Sequence, residues 1–483
     1  MKYHRLLTIL CILLVFVACR EDHISDDPTL RLTFSHDTVS FDTVFTSQGS
    51  ATLRMMVYNK NTNALVISKV WQDSATCFKV NIDGESDLSR ATELTLRGGD
   101  SIFVFVKVNI DPLNQNTPVL QTDRLHFSVN GHIQTVVLEA VGQDVHLIKS
   151  ARRLTRESEY TFKADKPYLI FDTLIIKNKL VLDAGARLYF HNGAVLINYG
   201  SISSQGTLNQ PVTLQGDRID NLFDSVPYAY VAGTWGGVYL IDEKAAPAKT
   251  YTFDHTEILS ANVGLYAYSE KTDNLPLLQL TNSRIHNHAV YGLVAQDIDV
   301  QAVNCEISNA AAYCVYLAGG KHRFIHSTIA AYFNSTNVRI QNTTREDVAA
   351  VYINSLSKNV AHTDASFVNC IVTGIRRNNL VVATPLPQYY WSEMKGNYLK
   401  ADSLTTPEAH DNVYWQKTDT MPVFRNTYYK YKEYVYYDFR LDSLSPARGI
   451  GDSAAAVPYP LDRLGHARAA NNADAGCYQY EPY

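Results

Sequence analysis

Acidic and basic side chains recur at one position of a short segment that is repeated along the middle of the chain. Glu257 and Glu306 occupy this position two repeats apart, and Arg284 occupies it between them. Hydrolysis of a glycan uses two carboxyl groups about 5 to 10 Å apart, and elimination from a uronate uses a base and a cation that neutralises the carboxylate. The same alternation is also typical of an ion-pair ladder on a solvated face, which contributes little to stability.

A second polar group is basic and is placed by the repeat in turns next to the same segments. Cationic side chains gathered on one face would attract an anionic glycan, whereas the alternative is a solvated edge of a structural protein. Two histidines in this group are His286 and His288, and the residues that we select as candidate glycan contacts are Lys321, His322, Arg323, Arg376 and Arg377. Signatures of polygalacturonases and pectate lyases, GxSxG, HExxH and the P-loop are all missing from the sequence.

Aromatic residues become dense after residue 384. Such rings can stack on sugars while their hydroxyl groups stay hydrated, or they can seal the end of a repetitive fold. The aromatic candidates for glycan binding are Tyr389, Tyr390, Trp391 and Trp415.

The repeated segment has a fixed order of residue types and sets the expected fold. It begins with His or Asn, continues with Thr, Ser or Cys and one variable residue, and ends at Ile258, Ile285, Ile307, Ile329 and Val372. The spacings of 27, 22, 22 and 43 residues, with the last interpreted as two turns, are typical of a solenoid that buries its apolar faces by stacking. We therefore predict a parallel β-helix in which the His/Asn column satisfies backbone groups at a bend. Residues 341–363 interrupt the period and predict a protruding loop.

The cysteines give no sign of a disulfide or a metal site. Cys305 and Cys370 share one column of the repeat, about three turns apart on the two-turn interpretation, and strands about 4.8 Å apart place them beyond disulfide reach. Cys77, Cys314 and Cys477 have no CxxC or Cys/His spacing. We expect Cys305 and Cys370 to be buried thiols, and we expect no metal and no cofactor.

Residues 30–145 read as eight alternating strands separated by short polar turns, which is typical of an immunoglobulin-like β-sandwich. The order of the segments FDTV (41–44), VYN (57–59) and LHF (125–127) resembles the Hydin-like immunoglobulin-type domains of bacterial surface proteins. The resemblance implies a spacer or a partner-binding module.

The predicted β-helix covers residues 146–400, and a C-terminal cap covers 401–483. Short strands between Gly turns and the segment GTWGGV (233–238) resemble the opening turns of right-handed parallel β-helix repeat proteins. The segments DFRL (438–441), SPA (445–447), DRLG (462–465) and DAGCY (474–478) resemble the choice-of-anchor Q region of Bacteroidota β-helix proteins. The expected fold class is all-β, with a sandwich, a right-handed parallel β-helix and a cap.

The N-terminus has the features of an export signal. Lys2 and Arg5 precede an apolar stretch, residues 6–18, that is too short to span a bilayer. The segment FVAC (16–19) resembles a bacterial lipobox, which implies a signal peptide at 1–18, a lipid on Cys19 and a flexible tether at 19–29. Cleavage after Ala18 without lipidation is the alternative. Acidic residues beside Cys19 resemble a Bacteroidota surface-export signal, so we expect attachment to the outer membrane, at the cell surface or facing the periplasm.

Asp followed by Ser or Thr and then an aliphatic residue or Met occurs ten times. This tripeptide resembles the acceptor of the Bacteroidota O-glycosylation system, although it is also a common turn start. The acceptors expected in loops are Ser74, Ser225, Ser403, Thr420, Ser443 and Ser453.

A net charge of −5 with interspersed signs argues against nucleic-acid binding. The sequence favours a lipid-anchored surface protein that binds a polysaccharide or another surface partner without turnover. A polysaccharide lyase or glycoside hydrolase acting on an anionic glycan is the second interpretation, and a purely structural surface protein is the third.

Overall fold

The computed structural model describes residues 23–74, 77–149, 159–223, 226–247, 249–333, 349–354, 357, 359–360, 362–383, 390–402, 410–416, 421–428 and 436–482. The chain forms two compact units, Met1–Asp144 and Val145–Tyr483. The predicted fold class is confirmed: the first unit is an immunoglobulin-like sandwich, and the second is a right-handed parallel β-helix with a C-terminal cap.

The sandwich consists of nine strands in two sheets. They are β1 (Thr33–Phe34), β2 (Thr38–Phe45), β3 (Leu53–Tyr58), β4 (Leu65–Gln72), β5 (Phe78–Ile82), β6 (Thr92–Leu96), β7 (Ser101–Val108), β8 (Val119–Val129) and β9 (His132–Gln143). The sheet orders are β1-β3-β7-β5 and β2-β9-β8-β4-β6. Alternate residues such as Val104, Val106 and Val108 are buried between the sheets. Strand β6 was not expected, because only its last residue, Leu96, is buried and its alternation is weak.

The β-helix follows with shorter strands. In chain order they are β10 (His146–Ile148), β11 (Glu159–Phe162), β12 (Tyr168–Ile170), β13 (Leu174–Ile176), β14 (Lys179–Leu182), β15 (Arg187–Phe190), β16 (Val195–Asn198), β17 (Ile202–Gln205), β18 (Val212–Gly216), β19 (Asn221–Phe223), β20 (Val226–Pro227), β21 (Trp235–Asp242), β22 (Thr250–Asp254), β23 (Thr256–Leu259), β24 (Ala261–Ser269), β25 (Leu277–Thr281), β26 (Arg284–His288), β27 (Tyr291–Gln296), β28 (Asp299–Val303), β29 (Glu306–Ala310) and β30 (Tyr313–Ala318).

The later strands are β31 (Gly320–Ile325), β32 (Thr328–Ala331), β33 (Ala349–Asn354), β34 (Thr363–Val368), β35 (Ile371–Gly374), β36 (Leu380–Ala383), β37 (Tyr390–Lys395), β38 (Tyr398–Lys400), β39 (His410–Asp411), β40 (Tyr414–Gln416), β41 (Phe424–Asn426) and β42 (Asp438–Leu441), followed by the short helix α1 (Ser453–Ala456). A 3-10 turn lies at Tyr228–Tyr230.

Three long parallel sheets form the sides of the coil, and each full turn contributes one strand to each sheet. Sheet 1 is β10-β12-β15-β18-β23-β26-β29-β32-β35-β38-β40, sheet 2 is β11-β14-β17-β22-β25-β28-β31-β34-β37-β39, and sheet 3 is β13-β16-β21-β24-β27-β30-β33-β36. The two hairpins β19-β20 and β41-β42 lie outside these sheets.

The repeated segment marks the bend from sheet 2 into sheet 1. His255, Asn282, Asn304, His326 and Asn369 all have left-handed backbone angles, with φ between 41° and 54°. Asparagine tolerates this conformation better than most residues, which explains its recurrence at a tight corner. The next residue closes the corner through its side chain, because Thr256, Ser283, Cys305, Ser327 and Cys370 each donate to the carbonyl two residues earlier.

The predicted register is confirmed for the Ile/Val column, with one error. Ile258, Ile285, Ile307 and Ile329 pair in sequence, but Ile329 pairs directly with Val372. The 43-residue gap is therefore one enlarged turn, and Cys305 and Cys370 lie two turns apart. Part of the predicted loop at 341–363 forms the regular strand β33 instead.

The parallel ladder also extends past residue 400, where we placed the end of the β-helix. Strand β40 adds to sheet 1 by pairing Tyr398 with Tyr414, and β39 adds to sheet 2 by pairing Met394 with His410. In this region the segments no longer recur at the earlier spacing and tyrosine becomes frequent. The period therefore did not predict these last strands.

The cap, which we define as residues 421–482, packs on the outer face of sheet 1. Phe424, Phe439 and Tyr478 form an apolar cluster with Ile371 and Ala330 of that sheet. The cap also follows the corner column, since Asn369 hydrogen bonds to both the carbonyl and the N–H of Asp452. Residues between α1 and the C-terminus thus return along the β-helix.

Candidate functional site

The alternating charges at the variable position form a buried network. Arg284 Nε lies 2.9 Å from Glu306 Oε1, and an Arg284 terminal nitrogen lies 3.8 Å from Glu257. Two cap residues complete the network, because Arg463 pairs with Glu257 and the Tyr478 hydroxyl donates to Glu306. The expectation of a solvated face is wrong: Glu306 is only 2% exposed, since the cap covers it.

The electrostatics of this network are those of a structural contact. Burial by itself raises the pKa of the Glu306 carboxyl, but the charges of Arg284 and Arg463 outweigh it and hold that pKa well below its ordinary value. Burial, followed by the charge of Arg284, keeps the pKa of His286 well below its ordinary value. Glu306 is therefore ionised and His286 neutral at pH 7, and the cap separates Glu306 from a polymeric substrate.

The histidines predicted to lie in turns lie in strands instead. His286 and His288 belong to β26 and are 2% and 0% exposed. His322 is wrong as a glycan contact, because it points into the coil from β31 and is 2% exposed. Successive side chains of a strand point to opposite faces. Lys321 and Arg323 of β31 point outward, so His322 between them points into the coil.

The basic candidates lie in two separate places. Lys321 and Arg323 are exposed on the outer face of sheet 2, where Arg323 pairs with Glu393 at 3.1 Å. Arg376 and Arg377 follow β35 of sheet 1, and Arg377 pairs with Asp402 at 3.3 Å. The structure does not assemble these four residues into one basic face.

The four aromatic candidates differ in how far the structure describes them. Tyr389 lies outside the described residues, and Tyr390 and Trp391 are placed only as backbone of β37. Trp415 is partly buried and packs against the core of the coil, and Tyr414 stacks on the buried Tyr398 at 5.6 Å between ring centroids. For Trp415, the geometry matches the alternative in which the rings seal the end of the β-helix.

A groove on the outer face of sheet 2 was not expected from the sequence. Its volume is about 520 Å³, which lies within the range of ligand sites. Its floor is a column of outward side chains on four consecutive turns, and Tyr459 of the cap is part of its wall. The column is Ser203, Thr252, Gln279 and Gln301. Four strands span about 14 Å along the coil.

The polar groups of the groove retain hydrogen-bonding capacity. The amide nitrogen of Gln279 lies 3.5 Å from the amide oxygen of Gln301, which is a long contact. Each amide has two N–H donors and two acceptor lone pairs, so this contact uses a small part of the total. The groove's charged residue, Asp254, accepts from Asn282 at 3.2 Å and lies 2.8 Å from the His255 ring.

The sequence held one signal for this groove. Gln279 and Gln301 are spaced by 22 residues, like the Ile/Val column next to them, so their alignment could have been found from the period. The contribution of Tyr459 could not, since it depends on the path of the cap.

The structure describes some of the residues predicted to carry sugar or lipid and not others. Ser74 is exposed in a bend, Ser443 is exposed in a turn, and Ser453 is half-buried as the first residue of α1. Cys19, Ser225, Ser403 and Thr420 lie outside the described residues.

Two features are absent from the described residues. None of the helices there is long and apolar enough to cross a membrane. The same part of the chain holds no group of three or more His, Cys, Asp or Glu residues that could bind a metal ion.

The sequence matches no protein-family model and no curated protein. Among solved structures, the VesB protease of Vibrio cholerae is similar at 17% identity over 23% of this chain and 31% of its own, with a TM-score of 0.18. A family 123 glycoside hydrolase from Clostridium perfringens is similar at 6% identity over 26% of this chain and 32% of its own, with a TM-score of 0.19. This chain spans about a third of those two proteins.

A PapD-like domain of human CEP192 is similar at 13% identity over 26% of this chain and 94% of its own, with a TM-score of 0.17. TM-scores this low carry no argument about function. The function must therefore be argued from the site.

Proposed function

We propose that this protein binds a neutral glycan, without turnover, in the groove on sheet 2. The observation that carries the proposal is the column of uncharged hydroxyl and amide side chains on four consecutive turns beside Tyr459. Sugar hydroxyl groups pair with amides that both donate and accept, and a tyrosine ring packs against the apolar face of a sugar. A groove that is open along the coil fits a chain rather than a compact metabolite.

The charges of the groove favour a neutral glycan over an anionic one. Asp254 is the charged residue among the groove's lining residues, and an acidic chain would meet it without a compensating cation. Lys321 and Arg323 lie beyond Gln301 on the same face, but Asp299, Asp364 and Glu393 lie among them. The positive and negative charges on this face therefore nearly balance.

The groove also favours binding over hydrolysis. A glycosidase needs two carboxyl groups about 5 to 10 Å apart, and Asp254 is the single carboxylate among the described residues that line the groove.

The cellular setting is part of the proposal. A signal peptide at 1–18 and a lipid on Cys19 would attach the protein to the outer membrane, with the sandwich as a spacer between anchor and β-helix. The resemblances to Bacteroidota β-helix lipoproteins, Hydin-like domains and the choice-of-anchor Q region support this setting.

The test is a binding panel of neutral hexasaccharides (cello-, manno-, xylo- and chitohexaose) and anionic hexagalacturonate, followed by calorimetry. We expect a neutral member to bind and Gln279→Ala with Gln301→Ala to weaken it about 30-fold, since each hydrogen bond contributes about 1 kcal/mol. Gln121→Ala, on a half-buried glutamine of the sandwich, is the matched control. The proposal fails if only hexagalacturonate binds, if the double variant binds normally, or if reducing or unsaturated ends appear.

A further inference from the structure

The outer face of sheet 3 differs from the other two faces because it carries no charge. Among the residues of strands β16, β21, β24, β27 and β30, Asp242 is the one that carries a charge. Its side chain points inward and is 0% exposed. The outward column is entirely apolar or aromatic over six consecutive turns. It reads Ile175, Ile197, Tyr239, Tyr266, Val294 and Tyr316.

The tyrosines of this face reach toward the strand of the following turn. Tyr266 belongs to β24, but its hydroxyl reaches the side-chain oxygen of Gln296 on β27 at 3.4 Å. The Tyr266 side chain therefore extends toward β27, whose outward-facing Val294 is only 4% exposed.

The next tyrosine of the column repeats this arrangement. The Tyr316 hydroxyl accepts a hydrogen bond of 3.2 Å from the amide of Asn354, which lies on the following turn. Tyr239 and Tyr266 are 5.4 Å apart between ring centroids, and Tyr291 lies 6.2 Å from Tyr316. Rings held by both a hydrogen bond and ring contacts lose little further freedom when a ligand binds.

The size of the face decides between possible occupants. The eight strands of sheet 3, about 4.8 Å apart and about five residues long, cover about 34 by 17 Å, or roughly 600 Å². A stable protein pair needs about 800 Å² on each partner, so a second copy of the chain is poorly matched. A patch of a few hundred Å² is large enough to mark a binding site.

We propose that this tyrosine face, defined by Tyr239, Tyr266, Tyr291 and Tyr316, is a second platform for the same class of neutral glycan. The inference rests on the proposed function of the groove. Aromatic rings offer flat apolar surfaces to sugar rings while their hydroxyl groups pair with sugar hydroxyls, and the absence of charge again selects an uncharged chain. Because sheets 2 and 3 are different sides of one coil, a single molecule holds two chains and links them.

A bridging assay tests this inference. Beads carry one neutral hexasaccharide of the panel, protein is added, and capture of the same hexasaccharide with a fluorescent label is measured. The wild-type protein binds the beads and captures label. The groove variant (Gln279→Ala, Gln301→Ala) and the tyrosine-face variant (Tyr239→Ala, Tyr266→Ala) each still bind the beads but lose at least about tenfold in captured label, because each retains one site.

Tyr414→Ala is the matched control, since Tyr414 is exposed and stacked at the end of the coil, and it leaves capture unchanged. Sedimentation of each variant shows whether the protein is monomeric. If the wild type binds beads but captures no label, or if the tyrosine-face variant bridges normally, this inference is overturned and the groove stands. If no bead is bound, the proposed function itself is overturned. A dimer that Tyr266→Glu dissociates identifies the face as a contact between copies, which also overturns the inference.

Discussion

Removing the Glu306 carboxylate tests whether the buried network holds the cap on the coil. Glu306→Ala deprives Arg284 of its 2.9 Å partner and leaves it a contact of 3.8 Å with Glu257, which is shared with Arg463. The Tyr478 hydroxyl loses its acceptor in the same step. Loss of one partner from a buried ion pair costs about 3 to 5 kcal/mol, mainly because the remaining charge stays buried.

The matched control is Glu393→Ala, because Glu393 also pairs with an arginine. Its partner Arg323 lies 3.1 Å away, but the two side chains are 29% and 52% exposed, compared with 3% for Glu306 and 24% for Arg284. Exposed pairs contribute about 0 to 1 kcal/mol. The free energy of unfolding is measured by urea titration, and proteolysis of the cap is followed in parallel. Equal losses for the two variants would refute a stabilising role for the buried network.

Four other predictions concern the buried network, the corner column, the lipid anchor and the attached sugar. Folding lowers the pKa of Glu306, so its stabilisation is present above the ordinary glutamate pKa of about 4.3 and is lost as the pH falls below it. In urea titrations at low pH, the free energy of unfolding of the wild type should therefore approach that of Glu306→Ala. A difference between the two that does not change with pH would contradict this. Cys305→Ser should cost no more than about 1 to 3 kcal/mol, because a hydroxyl can replace the thiol that donates to Val303, whereas Cys305→Arg buries a charge and should abolish soluble expression. Cys19→Ala should move the protein from the membrane to the soluble fraction, and unchanged partitioning would exclude the lipid anchor. Protein from its native host should exceed the mass of the bare lipidated chain if sugar is attached, and Ser443→Ala should reduce that excess.

The sequence alone was sufficient for the coil because the coil is locally periodic. Each turn must place an aliphatic residue inside, and the residue at the corner must accept a left-handed backbone. Both requirements apply to the same positions in every turn. The recurrence of residues such as Asn304 therefore predicted the corner, and the recurrence of residues such as Ile307 predicted the register of the strands. The enlarged turn before Val372 was misjudged, because a spacing of 43 residues cannot by itself distinguish two regular turns from one turn with an insertion.

The surface properties of the coil depended on the tertiary structure. Glu306 looked solvated in the sequence, but its partner Tyr478 lies 172 residues later and becomes a neighbour only when the cap folds back. Tyr239, Tyr266 and Tyr291 lie outside the repeated segment, so their common face was visible only in the sheet. Periodicity therefore specified the backbone and the core, while contacts between distant segments decided which sides of the coil are covered and which are open to ligands.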